Sequence, residues 1–562
     1  AFDYGFSKSL EEAKQKWPEE VIKCDVVRAI RLFRPLVVIS RFSGTPSDNH
    51  GQHQYAGYIS PIAVKAAADP QQCVDAGPVW QVQKFYREIG GTPTLRINTG
   101  QFDTLRGRSY GEIAIEGRSL HRSQGEGRIE PRGEQFSNLT YIEGTVPKGA
   151  NETSIFDGID TTITGIAKTY HTSNGPISDS TTQALAVAQR SAEQALKDFD
   201  FRDPSKSASV LAEGYDALER VIGPGFISGP PEAYEMREEK QKNESGIFFA
   251  AAHQKDFFFA EAIRKVVGLE IDALADVETA VPGEAFTTTI RVYCPSNPNV
   301  VISDISIPQR GRFKVSPLDE PVNPNASNAS RRENANASAR FKIEVPPDAS
   351  PTQPYWLTEP RDGDVFRTTG GVVPFFPPIL PAWVRLNING KQVILEQPIQ
   401  YRYADPSRGE IRREVNVVPM LSLGVDQELL IVPQSDKPQT RTLTLSITNN
   451  GTKPVSGVDA LNIPVQPEWN YTKSSAAFNL KGKGEKTNVS FDVTIPAKTK
   501  PGIYHIYPNA MVGEGLFNQT MTTIAYPHIQ THRYYTRTET VVNVLDLKVA
   551  PVKVGYIMGS GD

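Results

Sequence analysis

Cysteine is scarce. Cys24, Cys73 and Cys294 are too few, too far apart and odd in number for a disulfide framework or a cysteine-based zinc site, so they read as buried or inert thiols. Long hydrophobic runs are missing too, and no stretch reaches the ~18 to 20 apolar residues that span a bilayer. Neither sign of charge dominates. Against 64 Asp and Glu stand 60 Lys and Arg, spread along the chain, for a net charge of -4 and a pI near 6.2. That balance removes the electrostatic reason to expect a nucleic-acid partner. Histidine is rare at eight residues in 562, yet two of the eight stand three apart.

What is present is ordinary for a soluble globular chain, 39% hydrophobic and 22% charged. The length exceeds one core and suggests about three or four domains. The histidine pair lies in Asp48-Asn49-His50-Gly51-Gln52-His53, just after the strand-like run Leu36 to Ser40. With a helix opening at His53, both rings can point into one cleft, one imidazole to ligate a metal and one to handle a proton. The plainer alternative is a pair of loop histidines that cap a helix or meet solvent.

Further residues bear on that choice. Asp-x-His-x-x-His at 48–53, after Arg34-Pro35 and an apolar strand, resembles the second metal-site motif of the PIG-L/LmbE family of zinc-dependent sugar N-deacetylases. The segment from Ser109 to Gln124, with His121-Arg122-Ser123-Gln124, resembles the His-x-Ser-Gln helix end of its large multidomain bacterial members. The likeness extends from Phe2–Lys8 to the terminal Val554–Asp562. It implies that His53 ligates Zn2+, that His50 is the electrostatic or general-acid group, and that Asp48 orients an imidazole. Gln52 stands where the family usually has Asp. The family's His-Pro-Asp-Asp motif, which carries the other two ligands and the general base, is absent, and the sequence is expected to be N-terminally incomplete and inactive alone. The implied activity is removal of acetate from an N-acetylated sugar or glycoconjugate. The implied setting is bacterial and exported, periplasmic or extracellular.

Along the chain, Ser9 and Glu12 form a capping box for a helical region that runs to Phe33, broken near Pro18. Leu36–Ser40 is continuous and β-branched, as a parallel strand buried on both faces would be. A helix from His53 to about Ala68, bent or split by Pro61, and a strand at Val82–Arg87 complete an alternation that argues for a Rossmann-like α/β layer. Gly107-Arg108-Ser109-Tyr110-Gly111 matches the nucleophile elbow of serine hydrolases, but no apolar strand precedes it, and a capping box with Glu112 explains Ser109 without catalysis. Arg118, His121 and Gln124 are candidate substrate contacts, with a core histidine bonded to Gln124 as the alternative for His121. Asp157-Gly158 reads as a tight turn.

Helical patterns at 181–197, 208–221 and 232–267 read as a bundle that closes the catalytic domain or packs on its neighbour. From Gly268 the pattern is β, with an exposed Asn/Ser-rich loop at 323–338 holding sequons at Asn325, Asn328 and Asn336. The expected architecture is a Rossmann-like (PIG-L/LmbE-type) catalytic domain at 1–267, two immunoglobulin-like β-sandwich domains at 268–405 and 406–546, and the first strand of a further α/β domain at 547–562. Tyr401, Tyr403, Trp469 and Tyr471 are candidates for stacking on sugar rings, with core packing as the plainer role. The expected function is therefore zinc-dependent N-deacetylation. The rivals are a noncatalytic glycan-binding or scaffold protein and, third, a serine hydrolase using Ser109.

Overall fold

The computed structural model describes residues 4–88, 92–149, 151–169, 177–222, 244–295, 299–309, 312–318, 335–367, 378–462, 469–471, 476–527, 529–547, 550 and 552–557. Asn325, Asn328 and residues 232–243 of the third helical pattern lie outside them.

The chain opens with α1 (Leu10–Lys16) and α2 (Glu19–Phe33), separated at Pro18, which cannot donate the amide that a continuous helix would need. The Ser9 hydroxyl accepts the Glu12 amide at 3.2 Å, while the Glu12 carboxylate takes the amide of Lys8 at 2.8 Å. Then come β1 (Val37–Ser40), α3 (Gly51–Ala68), β2 (Lys84–Arg87), β3 (Leu95–Asn98), the small hairpin β4 (Phe102–Asp103) and β5 (Arg108–Ser109), α4 (Tyr110–Arg118) and β6 (Phe136–Glu143). Pro61 sits inside α3 without ending it.

The Rossmann-like expectation is overturned here. The sheet has order β1-β2-β6-β3; only β1 and β2 are parallel, while β6 runs antiparallel to both β2 and β3. A doubly wound sheet needs repeated right-handed βαβ crossovers, and α3 supplies one. Between β3 and β6 the chain is polar and buries little, α4 covering only Gly111, so no helix layer protects a second face. Accordingly β6 has one open side, with Phe136, Asn138 and Ile142 exposed, and only Leu139 buried on the other. As an edge strand, β1 leaves Ile39 44% exposed instead of being buried on both faces.

The inert-thiol reading also fails for two of the three cysteines. Cys24 on α2 and Cys73 beyond α3 form a disulfide, and Cys294 is a free thiol. Beside the disulfide lies Arg31, a side chain from α2 that is 2% exposed. Its guanidinium donates to the carbonyls of Ala66, Ala67, Asp69, Gln72, Cys73 and Gly77 at 2.7–3.2 Å. A cation thus sits at the negative end of α3, adding a charged donor to the Ala66 and Ala67 carbonyls, which also accept the Asp69 and Trp80 amides.

After a short α5 (Ile166–Thr169), helices α6 (Asp179–Lys197), α7 (Ala208–Ile222) and α8 (Glu244–Val266) leave this sheet. Leu185, Tyr215, Leu218 and Ile263 share one core with Ile271, Ile290, Val384 and Leu395, so the hydrophobic cluster runs unbroken across residue 267. The neighbouring β region has a six-stranded sheet, in the order Lys314–Pro317, Ala337–Glu344, Ala285–Tyr293, Glu270–Ala275, Gln400–Asp405 and Gly409–Glu414. It shares that core with a three-stranded sheet of Val300–Ser306, Pro381–Ile388 and Lys391–Pro398.

Beyond residue 420 a second β unit closes around Leu443, Leu445, Ile447, Phe491 and Val542. Lys486–Ile495 pairs with Gln439–Asn449, and Gly502–Val512 pairs with Thr540–Leu545 and Val455–Asn462, so the chain changes sheet at 496–501. Where the opening strand of a further α/β domain is expected, residues 552–557 take no strand conformation, and residues 558–562 lie outside the described residues.

Candidate functional site

The histidine pair sits where the loop after β1 enters α3. Asn49 takes a positive φ of 72°, which Asn tolerates better than most residues, and His50 is the N-cap of α3. Two glycines let neighbouring backbone close on this turn. A Cβ at Gly57 would stand 2.2 Å from the Gly44 nitrogen, and one at Gly51 would stand 2.0 Å from the Ser9 carbonyl oxygen. The first contact brings the loop carrying Phe42 against the helix; the second brings the N-terminal segment over His50.

The two imidazoles are stacked, with ring centroids 3.7 Å apart and planes inclined by 35°. Phe42 stacks on His53 at 4.0 Å, and Phe6 packs against His50 at 5.0 Å, so four rings hold one another. His53 Nδ1 lies 3.3 Å from the carbonyl oxygen of Asp48, and His50 Nδ1 lies 2.9 Å from Gln52 Oε1. Both partners are carbonyl oxygens, so each Nδ1 is the protonated nitrogen and each Nε2 carries the lone pair. Burial, then the neighbouring His50, push the pKa of His53 below its ordinary value, which favours the neutral ring that ligates metals.

Asp48 has a different task from the one expected. Its carboxylate is 3% exposed and accepts the amides of Ser43, Gly44 and Thr45 and the Ser43 hydroxyl at 2.7–3.2 Å, shaping the loop; its backbone carbonyl, not its side chain, meets the imidazole. The residue that does hold a ring by its side chain is Gln52. Its Oε1 also accepts the Ser7 hydroxyl at 2.6 Å, and its Nε2 donates to the Gly5 carbonyl. The signal for Gln52 in the sequence was its place directly before His53.

The downstream candidates gather elsewhere. His121 is exposed and its Nδ1 meets the Arg118 carbonyl at 3.0 Å; Arg118 pairs with Glu126, and Gln124 lies exposed in a short 3-10 turn. No contact to the histidine pair is made by these three side chains among the described residues. Ser109 caps α4, with its hydroxyl accepting the Glu112 amide at 3.1 Å and its amide donating to Glu112 at 2.8 Å. Of the aromatic candidates, Trp469 is 5% exposed in the core of the second β unit against Tyr504. Tyr401 and Tyr403 stack at 6.0 Å, with the Arg413 guanidinium over Tyr403.

As a zinc site the pair fits in donor chemistry: two imidazoles whose Nδ1 atoms are fixed and whose Nε2 atoms are unengaged among the described residues, the usual outer-shell arrangement. Two donors fall short of the three protein ligands of catalytic zinc, and the described residues contain no cluster of three His, Cys, Asp or Glu side chains.

Residues 436–512, within the second β unit, match the family model described as the NPCBM-associated, NEW3 domain of alpha-galactosidase. No curated protein matches the chain. Among solved structures, similarity extends to an ASH/PapD-like domain of human CEP192 (11% identity, 23% of this chain and 87% of that one, TM-score 0.14). The native conformation of E. coli alpha-2-macroglobulin also matches (13%, 49% and 17%, 0.17), as does a family 123 glycoside hydrolase from Clostridium perfringens (11%, 23% and 28%, 0.15). At these scores the structural likenesses carry no argument about function.

Proposed function

We propose that this chain supplies the imidazole half of a zinc-dependent hydrolase that removes the acetyl group from an N-acetylated sugar or glycoconjugate, outside the reducing cytoplasm of a bacterium. The stacked His50–His53 pair, with each Nδ1 tied to a carbonyl oxygen, carries the reading. His53 Nε2 would hold the metal, and His50 Nε2 would take or give a proton at the amine nitrogen of the substrate. Bound zinc acidifies a water molecule and polarises the amide carbonyl. The remaining ligands would come from outside the described residues. A carbohydrate setting is supported by the NEW3 match, and an exported one by the Cys24–Cys73 disulfide, because such bonds persist in oxidising compartments.

A noncatalytic glycan-binding or scaffold role is the second reading, favoured by the count of two donors. The doubly bonded cap at Ser109 leaves a serine hydrolase with no supporting contact. Zinc titration by calorimetry separates the first two. In a protein that carries the remaining ligands, wild type should bind about one ion per chain, His53→Ala should lose it, and His50→Ala should retain it. Equal binding by wild type and His53→Ala would sink the ligand assignment.

A further inference from the structure

At the end of the helical layer where α6 stops and α7 begins, a groove of about 540 Å³ runs along α8. Its floor is made by Ala192, Ala195 and Ala262, small residues that leave room between the helices, with Leu211 and Phe259. Its walls are apolar and exposed, with Leu196 81%, Phe258 51% and Phe199 48% accessible. Lys255 and Lys265 complete the lining. Neither ammonium has a carboxylate within ion-pair distance among the described residues, and Lys255 is half-buried against the Phe258 ring at 5.8 Å. Burial, with no acid to offset it, lowers the Lys255 pKa. A half-buried cation without a counter-charge is costly, and an anion seated at the groove would remove that cost.

We propose that this groove binds a single-chain anionic amphiphile of the fatty-acid class, its alkyl chain on the alanine floor and its carboxylate against Lys255. Length and charge favour an acyl chain with an anionic head. From Lys255 to Val266 α8 rises about 16 Å, close to half the ~30 Å hydrocarbon thickness of a bilayer and so to one acyl chain. The lysines select the charge of the head group.

The test is calorimetric titration of the 562-residue protein with dodecanoate, dodecanol and dodecylamine, each below its micellar concentration. Dodecanoate should bind once per chain, with dodecanol and dodecylamine at least tenfold weaker. Lys255→Gln should weaken dodecanoate at least tenfold and leave dodecanol unchanged. Leu196→Glu, on an exposed wall where folding is not at stake, should weaken dodecanoate by a similar factor. Equal binding of the three amphiphiles, or unchanged dodecanoate affinity in both variants, would overturn the proposal. So would a sedimenting dimer that Leu196→Glu dissociates and dodecanoate does not, since a second copy would then be the occupant.

Discussion

Arg31→Met removes the guanidinium that closes α3, the helix whose opposite end carries His50 and His53. Methionine keeps much of the apolar stem but none of the donors, so six carbonyl oxygens lose a charged donor together; those of Ala66, Ala67, Asp69 and Cys73 keep a backbone amide, while those of Gln72 and Gly77 are left to water. Hydrogen bonds to a charged donor contribute about 1.5–3 kcal/mol each. The loss is well below six times that figure, because water enters to solvate the outer carbonyls and the desolvation cost of the cation is recovered. A net loss of about 4 kcal/mol follows, a large fraction of a domain's stability. Because the chain holds several cores, native-state hydrogen exchange is the right assay, as it reads α3 separately from the β units. Amides in the last two turns of α3 should exchange about a thousandfold faster in Arg31→Met, since each factor of ten is about 1.4 kcal/mol. Arg31→Lys, with three donors on a flexible stem, should fall between wild type and Arg31→Met. An acceleration below tenfold in Arg31→Met would mean that water already satisfies those carbonyls and that the buried cation is not what holds the helix end.

The Cys24–Cys73 disulfide closes a loop with a sequence separation of 49, which corresponds to about 4 kcal/mol of unfolded-state entropy; thiol titration in denaturant should find one free thiol, Cys294, and find three after reduction, with earlier melting of the N-terminal region. Lys84 and Glu152 form an ion pair at 2.6 Å with both side chains no more than 1% exposed, so Lys84→Met should cost about 3–5 kcal/mol by stranding the carboxylate, and a loss below 1 kcal/mol by denaturant unfolding would refute this. Burial by itself would raise the Glu152 pKa, but hydrogen bonds from Lys84, Gly149 and Tyr86 more than offset it and the net shift is downward from 4.5. The stabilisation is therefore complete above pH 4.5 and lost as pH falls through the depressed folded value, and Glu152→Gln should flatten the acid limb of a stability-against-pH curve. Gly57→Ala places a methyl group 2.2 Å from the Gly44 backbone nitrogen, so it should push the Phe42 loop off α3 and change the ring chemical shifts of His53; unchanged shifts would refute the close approach.

The histidine pair was legible because spacing on a helix start and a preceding strand are local properties. Its support was not. The family resemblance implies that the side chain of Asp48 orients an imidazole, but three loop amides at 43–45 offer it stronger and nearer partners. Gln52 does the orienting instead, through contacts with Ser7 and Gly5 some 45 residues away, which no pattern within the motif encodes. The alternation Thr442 to Thr448 likewise marks which side chains face inward, and Leu443, Leu445 and Ile447 are buried accordingly. Alternation says nothing about which strand lies alongside, so Lys486–Ile495 and Gly502–Val512, adjacent in sequence, end up in opposite sheets.

The N-terminal region shows the same limit at the level of the fold. One crossover, β1-α3-β2, reads in sequence like the start of a doubly wound sheet, and it is parallel as such a unit should be. What decides the architecture is the third step, and there the polar chain between β3 and β6 has too little apolar surface to build a covering helix. The sheet therefore turns antiparallel and leaves one side of β6 to solvent. With a small core, stability is concentrated in a few buried polar and covalent ties, Arg31, the Cys24–Cys73 bond and the Lys84–Glu152 pair. All three join residues 35 to 68 positions apart, and two of them converge on the C-terminal end of α3. Charged residues on a helix or strand read as surface, and distant cysteines read as unpaired, so the ties that fix the histidine-bearing helix are the features that periodicity conceals.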